Sequence, residues 1–390
     1  MGMVPRDYQQ AAADTIHKSD VGIMRLATGA GKSLLAAMMT ASIGKPTMVL
    51  VIGIDLLYSF HELFSKIFDE PIGIIGDGKF EVEGARIHVS TVWTLARALK
   101  VDKKDLSDDD GATQAEKFEE TNSEKIRKIL DQTKLVILDE CHIVGCKSSK
   151  VLLKNINYEH LYGLSGTPFK NNSDDLEIIS LLGEKIADVS STFLIEKKVL
   201  PQPTIKFLNV PAIGGYGKTY AEVYRSFIVD NELRNSMILG NAKELLLKKY
   251  KILVLFKTID HGKILLDLFK SAKIKCVLLS GKDNIEKRLS AKEKLNNGDI
   301  DVIIASTIFD IGISIDRLSA LLLAGGGGAT SGVRTTQRVG RLLRSYPGKT
   351  NVAVVDFYDN VRYLKGHSKK RLDVYRQELG FKLILPKNLK

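Results

Sequence analysis

The 390 residues, 44% hydrophobic and 26% charged, have the balance of a soluble globular chain and the length for two domains with separate cores. Charge is unevenly spread: 24 Lys and Arg face 29 Asp and Glu up to Leu200, but 33 face 17 from Pro201 onward. No apolar run has the length of a membrane span, MGMVPRDYQQ lacks a signal-peptide stretch, and three unpaired-looking cysteines (Cys141, Cys146, Cys276) argue against a disulfide framework or zinc site, which fits a reducing cytosol.

Short apolar runs alternate with helix-like stretches along the chain. The first half has candidate strands GIMRLA (22–27), PTMVLVIG (46–53), RIHVST (86–91), LVILDE (135–140) and LYGLSG (161–166). Helical patterns such as KSLLAAMMTASI lie between them. One segment breaks this rhythm: residues 101–125 hold nine acidic and four basic residues, which reads as an exposed insertion or a solvated helix. The second half repeats the alternation with KILVLF (251–256), KCVLLS (275–280), VIIAST (302–307), ALLLAG (320–325) and NVAVVDF (351–357). Two such series predict two α/β domains with mostly parallel sheets, residues 1–200 and 201–390, joined near VLPQPTIKF (199–207). GGGG (325–328) reads as a flexible connection, and the basic half suits either a polyanion or a lysine-rich solvated face.

The chemistry starts at RLATGAGKS (25–33), which follows an apolar run and opens a helical pattern. Gly29 and Gly31 let the backbone from Thr28 through Ala30 curl so that its N–H groups point at phosphate oxygens. Lys32 supplies a point charge for the β and γ phosphates, and the Ser33 hydroxyl can hold Mg²⁺. Leu26 stands where the full phosphate-loop pattern has glycine. Further on, VILDECHIVG (136–145) drives an apolar strand into two adjacent carboxylates, which are costly unless something cationic meets them. In a phosphate-loop fold Asp139 then holds the metal and Glu140 orients the attacking water.

DECH (139–142) beside TGAGKS resembles the DExH group of superfamily-2 helicases and translocases, and the resemblance continues in order through nearly the whole chain. PRDYQQ (5–10) resembles the Q motif, which implies that Gln9 reads the adenine edge and Arg6 assists. VSTVWTL (89–95) resembles a strand-contacting motif with Thr91, and GLSGTP (163–168) the motif that couples ATP to nucleic acid. LVLFKTIDHG (253–262) resembles motif IV. ASTIFDIGISID (305–316) resembles motif V, with Thr307 on the nucleic acid and Asp310 and Gly312 near the nucleotide. QRVGRLLR (337–344) resembles motif VI. There Gln337, Arg341 and Arg344 would act on the phosphates, because fixed guanidinium groups stabilise charge on a transferring phosphoryl group. The chain departs from the family pattern at Ile52-Gly53, Gly166 and Ser314.

Within superfamily 2 the resemblance is nearest to phage and bacterial DNA branch-migration and repair helicases. It implies two tandem RecA-like domains, ATP and Mg²⁺ as cofactors, and forked or branched DNA as partner. An RNA helicase and the motor of a restriction-type complex are the alternatives within the family. A non-hydrolysing nucleic-acid clamp is the alternative outside it, and it would tolerate damage at Lys32 or Glu140 that this sequence does not have.

Overall fold

The computed structural model describes residues 4–99, 112–169, 174–213, 216–281, 283–306, 315, 317–326, 335, 338–340, 342, 343, 346, 349 and 351–389. The chain forms two compact units, Met1–Ser190 and Ser191–Lys390. The division falls ten residues before the sequence-based boundary.

The first unit is built on strands β1 (Val21–Leu26), β2 (Thr47–Val51), β3 (Ile72–Gly76), β4 (Lys79–Glu81), β5 (Ile87–Thr91), β6 (Leu135–Asp139), β7 (His160–Ser165) and β8 (Lys185–Val189). Their order across the sheet is β4-β3-β5-β2-β6-β7-β1-β8, and every pairing is parallel except β3 with β4. β2, β5 and β6 are buried along their whole length, which is why they read as unbroken apolar runs rather than alternating ones. Helices cover the sheet, and Leu95, Ile126, Leu130 and Leu152 pack with Met48, Leu50, Val136 and Leu138 of the strands.

β3 and β8 were not legible as strands. β3 is IGIIG, and its Gly73 is required because a Cβ there would overlap the His88 ring of β5. The acidic segment contributes to the helix Ala112–Gln132, whose Ile126 and Leu130 reach the core; residues 100–111 lie outside the described residues.

The second unit contains β9 (Gln202–Val210), β10 (Ile252–Phe256), β11 (Cys276–Leu279), β12 (Val302–Ser306), β13 (Ala320–Leu322), β14 (Asn351–Asp359) and β15 (Lys382–Ile384). Their order is β11-β12-β10-β13-β14-β9-β15, with all pairings parallel. The segment expected to be a domain connection is therefore β9, paired with β14 over nine residues. Its two-residue burial alternation is real, but the two prolines of LPQPT masked it.

Two buried ion pairs organise this unit. Arg234, on the helix Glu232–Leu247, bonds Asp359 at 2.9 Å and lies 4.7 Å over the Phe357 ring. Arg371, on the helix Leu364–Gln377, bonds Asp356 at 2.8 Å and also donates to the Phe357 carbonyl. Residues 361–390 hold nine Lys and Arg against two acidic residues, a basic tail that suits either a duplex backbone or a helix packed on the domain. The helix is packed, with Leu364, Ser368, Arg371, Leu372 and Tyr375 on its inner face.

Both arginines also hold the chain that leaves β13. Arg234 donates to the Ala324 carbonyl, Tyr224 to that of Gly325 and Arg371 to that of Gly326. Three successive carbonyls are fixed by side chains from three helices. The expectation of a flexible connection fails at Gly325 and Gly326, because an anchored carbonyl removes the freedom that glycine otherwise gives; Gly327 and Gly328 lie outside the described residues.

Removing one partner of such a pair leaves an uncompensated buried charge, which is worth about 3–5 kcal/mol. Arg234→Ala should therefore lower the urea midpoint of the second unit, seen by far-UV circular dichroism. The single tryptophan, Trp93, lies in the first unit, and its fluorescence transition should stay in place. An unmoved circular-dichroism transition would show the pair to be energetically neutral.

Candidate nucleotide site

β1 ends at Leu26, and the loop that follows turns through Gly29 (φ 88°) and Gly31 (φ 85°) into the helix Lys32–Ile43. Both φ values lie in the left-handed region that glycine adopts without steric penalty. Gly31 has a second reason: a Cβ there would overlap the Gln9 amide nitrogen. The loop is braced at one point. The Ala30 carbonyl accepts from Gln9 Nε2 at 3.0 Å and from the Tyr8 hydroxyl at 3.1 Å. Gln9 Oε1 accepts from the Arg6 backbone N–H at 2.9 Å. Gln9 is buried and acts on the loop itself in this structure, whereas the adenine-reading role was expected of it.

The two carboxylates stand at the end of β6, and β7 separates that strand from β1. A continuing strand would send neighbouring side chains to opposite faces. Here Glu140 takes a left-handed backbone (φ 52°, ψ 50°) and a 3₁₀ turn, Cys141–Ile143, begins at once. That conformation is strained for a residue with a side chain, by about 1–2 kcal/mol. With the alternation broken, both carboxylates act on one cation: Lys32 Nζ lies 2.6 Å from Glu140 Oε1 and interacts with the charge of Asp139.

Burial dominates the electrostatics and the partners decide its outcome. Burial opposes the charge on Lys32, yet Glu140 and Asp139 together raise its pKa above the ordinary lysine value. Burial likewise disfavours an ionised Glu140, but Lys32 and His142 outweigh it and hold the carboxyl below its usual range. Asp139 lacks so close a cation. Burial pushes it up to about 6 against the pull of Lys32, and its Oδ1 has no hydrogen-bond partner among the described residues.

β7 closes the site from the middle. Its last residue, Ser165, donates to Glu140 Oε2 at 3.2 Å and accepts from the Thr167 N–H at 3.2 Å. His142 Nδ1 lies 3.3 Å from Glu140 Oε2 and 3.4 Å from Ser165 Oγ. Tyr8 and Ser165 were not singled out from the sequence, and His142 drew notice only beside Cys141 and Cys146 as a metal-ligand set that lacks a fourth member. Their signal was present, because each sits inside a quoted motif: PRDYQQ, DECH and GLSGTP.

Other expected residues are placed less simply. Thr28 and Ser33 flank the loop and are half-buried, and Ala30 is buried. Thr91, expected on nucleic acid, is buried; its Oγ1 accepts from the Thr94 N–H and caps the helix Val92–Ala98. Thr307, Asp310, Gly312, Gln337, Arg341 and Arg344 lie outside the described residues.

The residues present fit a nucleotide polyphosphate with a divalent cation. A glycine-shaped loop opens a twelve-residue helix whose N-terminus favours anions. A lysine stands at that N-terminus, and it interacts with the charge of buried Asp139, whose Oδ1 has no hydrogen-bond partner among the described residues. Among the described residues no three His, Cys, Asp or Glu side chains converge on one point. A cation here would take Asp139 and Ser33 from the protein and its other ligands from phosphate and water, as Mg²⁺ does in such sites.

This arrangement defines a phosphate-loop α/β protein. Residues 2–170 match the model of the type III restriction enzyme res subunit, and residues 238–346 that of the helicase conserved C-terminal domain. Helicase 22 of the Sulfolobus islandicus filamentous virus is 26% identical over 373 residues, covering 90% of this chain and 62% of that protein. The ATP-dependent DNA helicase uvsW of Enterobacteria phage T4 is 27% identical over 370 residues, covering 90% and 68%. The chain therefore spans about two thirds of the length of these relatives. S. cerevisiae Dbp5, solved with RNA and ADP BeF3, has the same fold with a TM-score of 0.62 at 14% identity, covering 97% of this chain and 89% of that one. The chain belongs to the superfamily-2 helicases, with two RecA-like units.

Lys32→Ala should destabilise the nucleotide-free first unit by about 2–3 kcal/mol at pH 7, somewhat below the range for a fully buried pair because both side chains keep about 15% exposure. Glu140 has a depressed folded pKa, so its contribution is complete above the unfolded carboxyl value and is lost as pH falls through the folded one. The penalty, read from urea midpoints by Trp93 fluorescence, should accordingly shrink between pH 7 and pH 3. Equal penalties at both pH values would sink the ion-pair explanation.

Proposed function

We propose that this protein is an ATP-dependent DNA helicase or translocase that acts on forked or branched DNA in the cytosol. The observation that carries the reading is the Lys32–Glu140–Asp139 constellation at the phosphate loop of a superfamily-2 chain. In this reading the backbone of Thr28, Gly29, Ala30 and Gly31 cradles the phosphates, and Lys32 leaves Glu140 for them. Ser33 and Asp139 would hold Mg²⁺, which would supply charge neutralisation at the phosphates. Glu140, released from its ion pair, orients the attacking water, with Ser165 and His142 fixing its second oxygen. Arg6 serves the adenine side, and Gln9 braces the phosphate loop through the Ala30 carbonyl. Gln337, Arg341 and Arg344 act on the phosphates, so that hydrolysis is coupled to movement of the two domains. Asp310 and Gly312 serve the nucleotide, and Thr307 the DNA strand.

DNA rather than RNA is supported by the DNA helicase of phage T4 among the relatives, while the fold itself is shared with an RNA-bound protein. Forked DNA should stimulate ATP hydrolysis more than an equal concentration of single-stranded RNA, and branched DNA should separate into arms only with ATP. Glu140→Gln should abolish turnover while a filter-binding assay still detects bound ATP, since Asp139 remains for the metal. Normal turnover in that variant would remove Glu140 from the reaction. Stronger stimulation by RNA without fork remodelling would move the protein to RNA.

A further inference from the structure

The second unit carries an aromatic and basic surface that the nucleotide site does not use. Tyr220 is half-buried, with the rings of Tyr224 at 6.0 Å, Tyr363 at 6.1 Å and His367 at 5.8 Å. Lys257, the residue after β10, places its Nζ 5.1 Å from the Tyr220 and Tyr224 ring centres, and Arg362 lies 4.8 Å over Tyr363. Tyr363 is 39% exposed and adopts φ 67°, a strained conformation for a residue with a side chain. Its hydroxyl donates to the Lys218 carbonyl at 3.2 Å, and two residues before Lys218 stands Tyr216, 74% exposed. The ring is thus anchored at its tip and partly exposed, with the Arg362 guanidinium over it and Tyr220 at its edge.

The charge around these rings is of one sign. Lys257, Arg362, Lys365, Lys369 and Lys370 are exposed, and among the described residues no ion pair joins any of them to a carboxylate. The nearby carboxylates are engaged: Asp356 by Arg371, Asp359 by Arg234, Asp260 by Arg225, and Glu222 by the N–H groups of Lys218 and Thr219. His367 reports the same field, since burial first and then Arg371, Lys370 and Lys257 hold its pKa below the ordinary histidine value. A small cavity lined by Lys257, Gly325, Gly326, Arg338 and Arg371 shares Lys257 with the cluster. Exposed aromatic faces beside uncompensated cations match a ligand with both flat faces and negative charges. Single-stranded nucleic acid is such a ligand, because a duplex hides the faces of its bases.

We propose that Tyr363 and Tyr220, with Lys257 and Arg362, form a docking surface for an unpaired segment of the DNA, on which a base stacks against Tyr363. The inference rests on the DNA-motor reading and adds to it Tyr220, Arg362 and Tyr363, which lie outside the numbered motifs, beside Lys257 of the motif IV segment. Removing a base-stacking ring weakens single-strand binding by roughly fivefold to a hundredfold. Tyr363→Ala should therefore raise the concentration of single-stranded DNA that half-maximally stimulates ATPase by that factor. Tyr363→Phe should stay within about twofold, because it keeps the ring. DNA-free ATPase and the KM for ATP should be unchanged in both, which also reports an intact fold. An oligonucleotide containing 2-aminopurine should be quenched by the wild type and by Tyr363→Phe, and not by Tyr363→Ala. Arg362→Ala should lower the salt dependence of binding by about one counter-ion. Wild-type stimulation by DNA with an unaltered Tyr363→Ala curve would overturn this surface and leave the motor reading standing. A wild type that neither binds DNA nor is stimulated by it would overturn both. A Tyr363→Ala penalty seen with single-stranded RNA and not with DNA would overturn the assignment to DNA.

Discussion

The contact between Lys32 and Glu140 is the constraint to which the first unit is built. It joins residues 108 positions apart, across three neighbouring strands, inside a site where an unpaired charge is expensive. The sheet order makes it possible: β1 carries the loop, β6 carries the carboxylates, and β7 between them delivers Ser165 to Glu140. Two carboxylates against one ammonium leave the site negative and Asp139 incompletely satisfied. A purely structural ion pair would gain from completing that network. Here one Asp139 oxygen has no hydrogen-bond partner among the described residues, which leaves it available to a ligand.

Arg371 in the second unit shows the contrast. It is buried, yet it meets a carboxylate and two carbonyl oxygens, and Tyr375 binds the same carboxylate. Satisfied in this way, a buried charge fixes geometry, and here it fixes the backbone that leaves β13. The same residue types thus do opposite work, according to whether their hydrogen-bonding capacity is filled by the protein.

Much of this was legible in the sequence. Strands buried on both faces announced themselves as apolar runs, and the loop and the paired carboxylates stood in short motifs whose chemistry dictates their spacing. What escaped was of two kinds. Strands interrupted by glycine or proline, β3 and β9, lost their periodicity signal, although neighbours explain each departure: His88 needs the space at Gly73, and β14 pairs along all of β9. Roles decided by distant partners were equally hidden. Nothing local in Gln9 foretells its bond to Ala30, and nothing in Thr91 tells a helix cap from a surface hydroxyl. Arg371 looked like one charge in a basic run, and only Asp356, fifteen residues away, makes it internal.

β9 also sets a timetable. It lies between β14 and β15, both of which follow it by well over a hundred residues in the chain. At synthesis rates of about 5–20 residues per second, both its edges wait roughly 7 to 30 s on the ribosome before β14 exists to cover one of them. An unpaired nine-residue strand is a template for association with other chains. Pro203, which lacks an N–H, and Lys206, which carries charge, both interrupt that template, as gatekeeper residues do. The proline that disguises β9 in the sequence guards it while the rest of its sheet is being made.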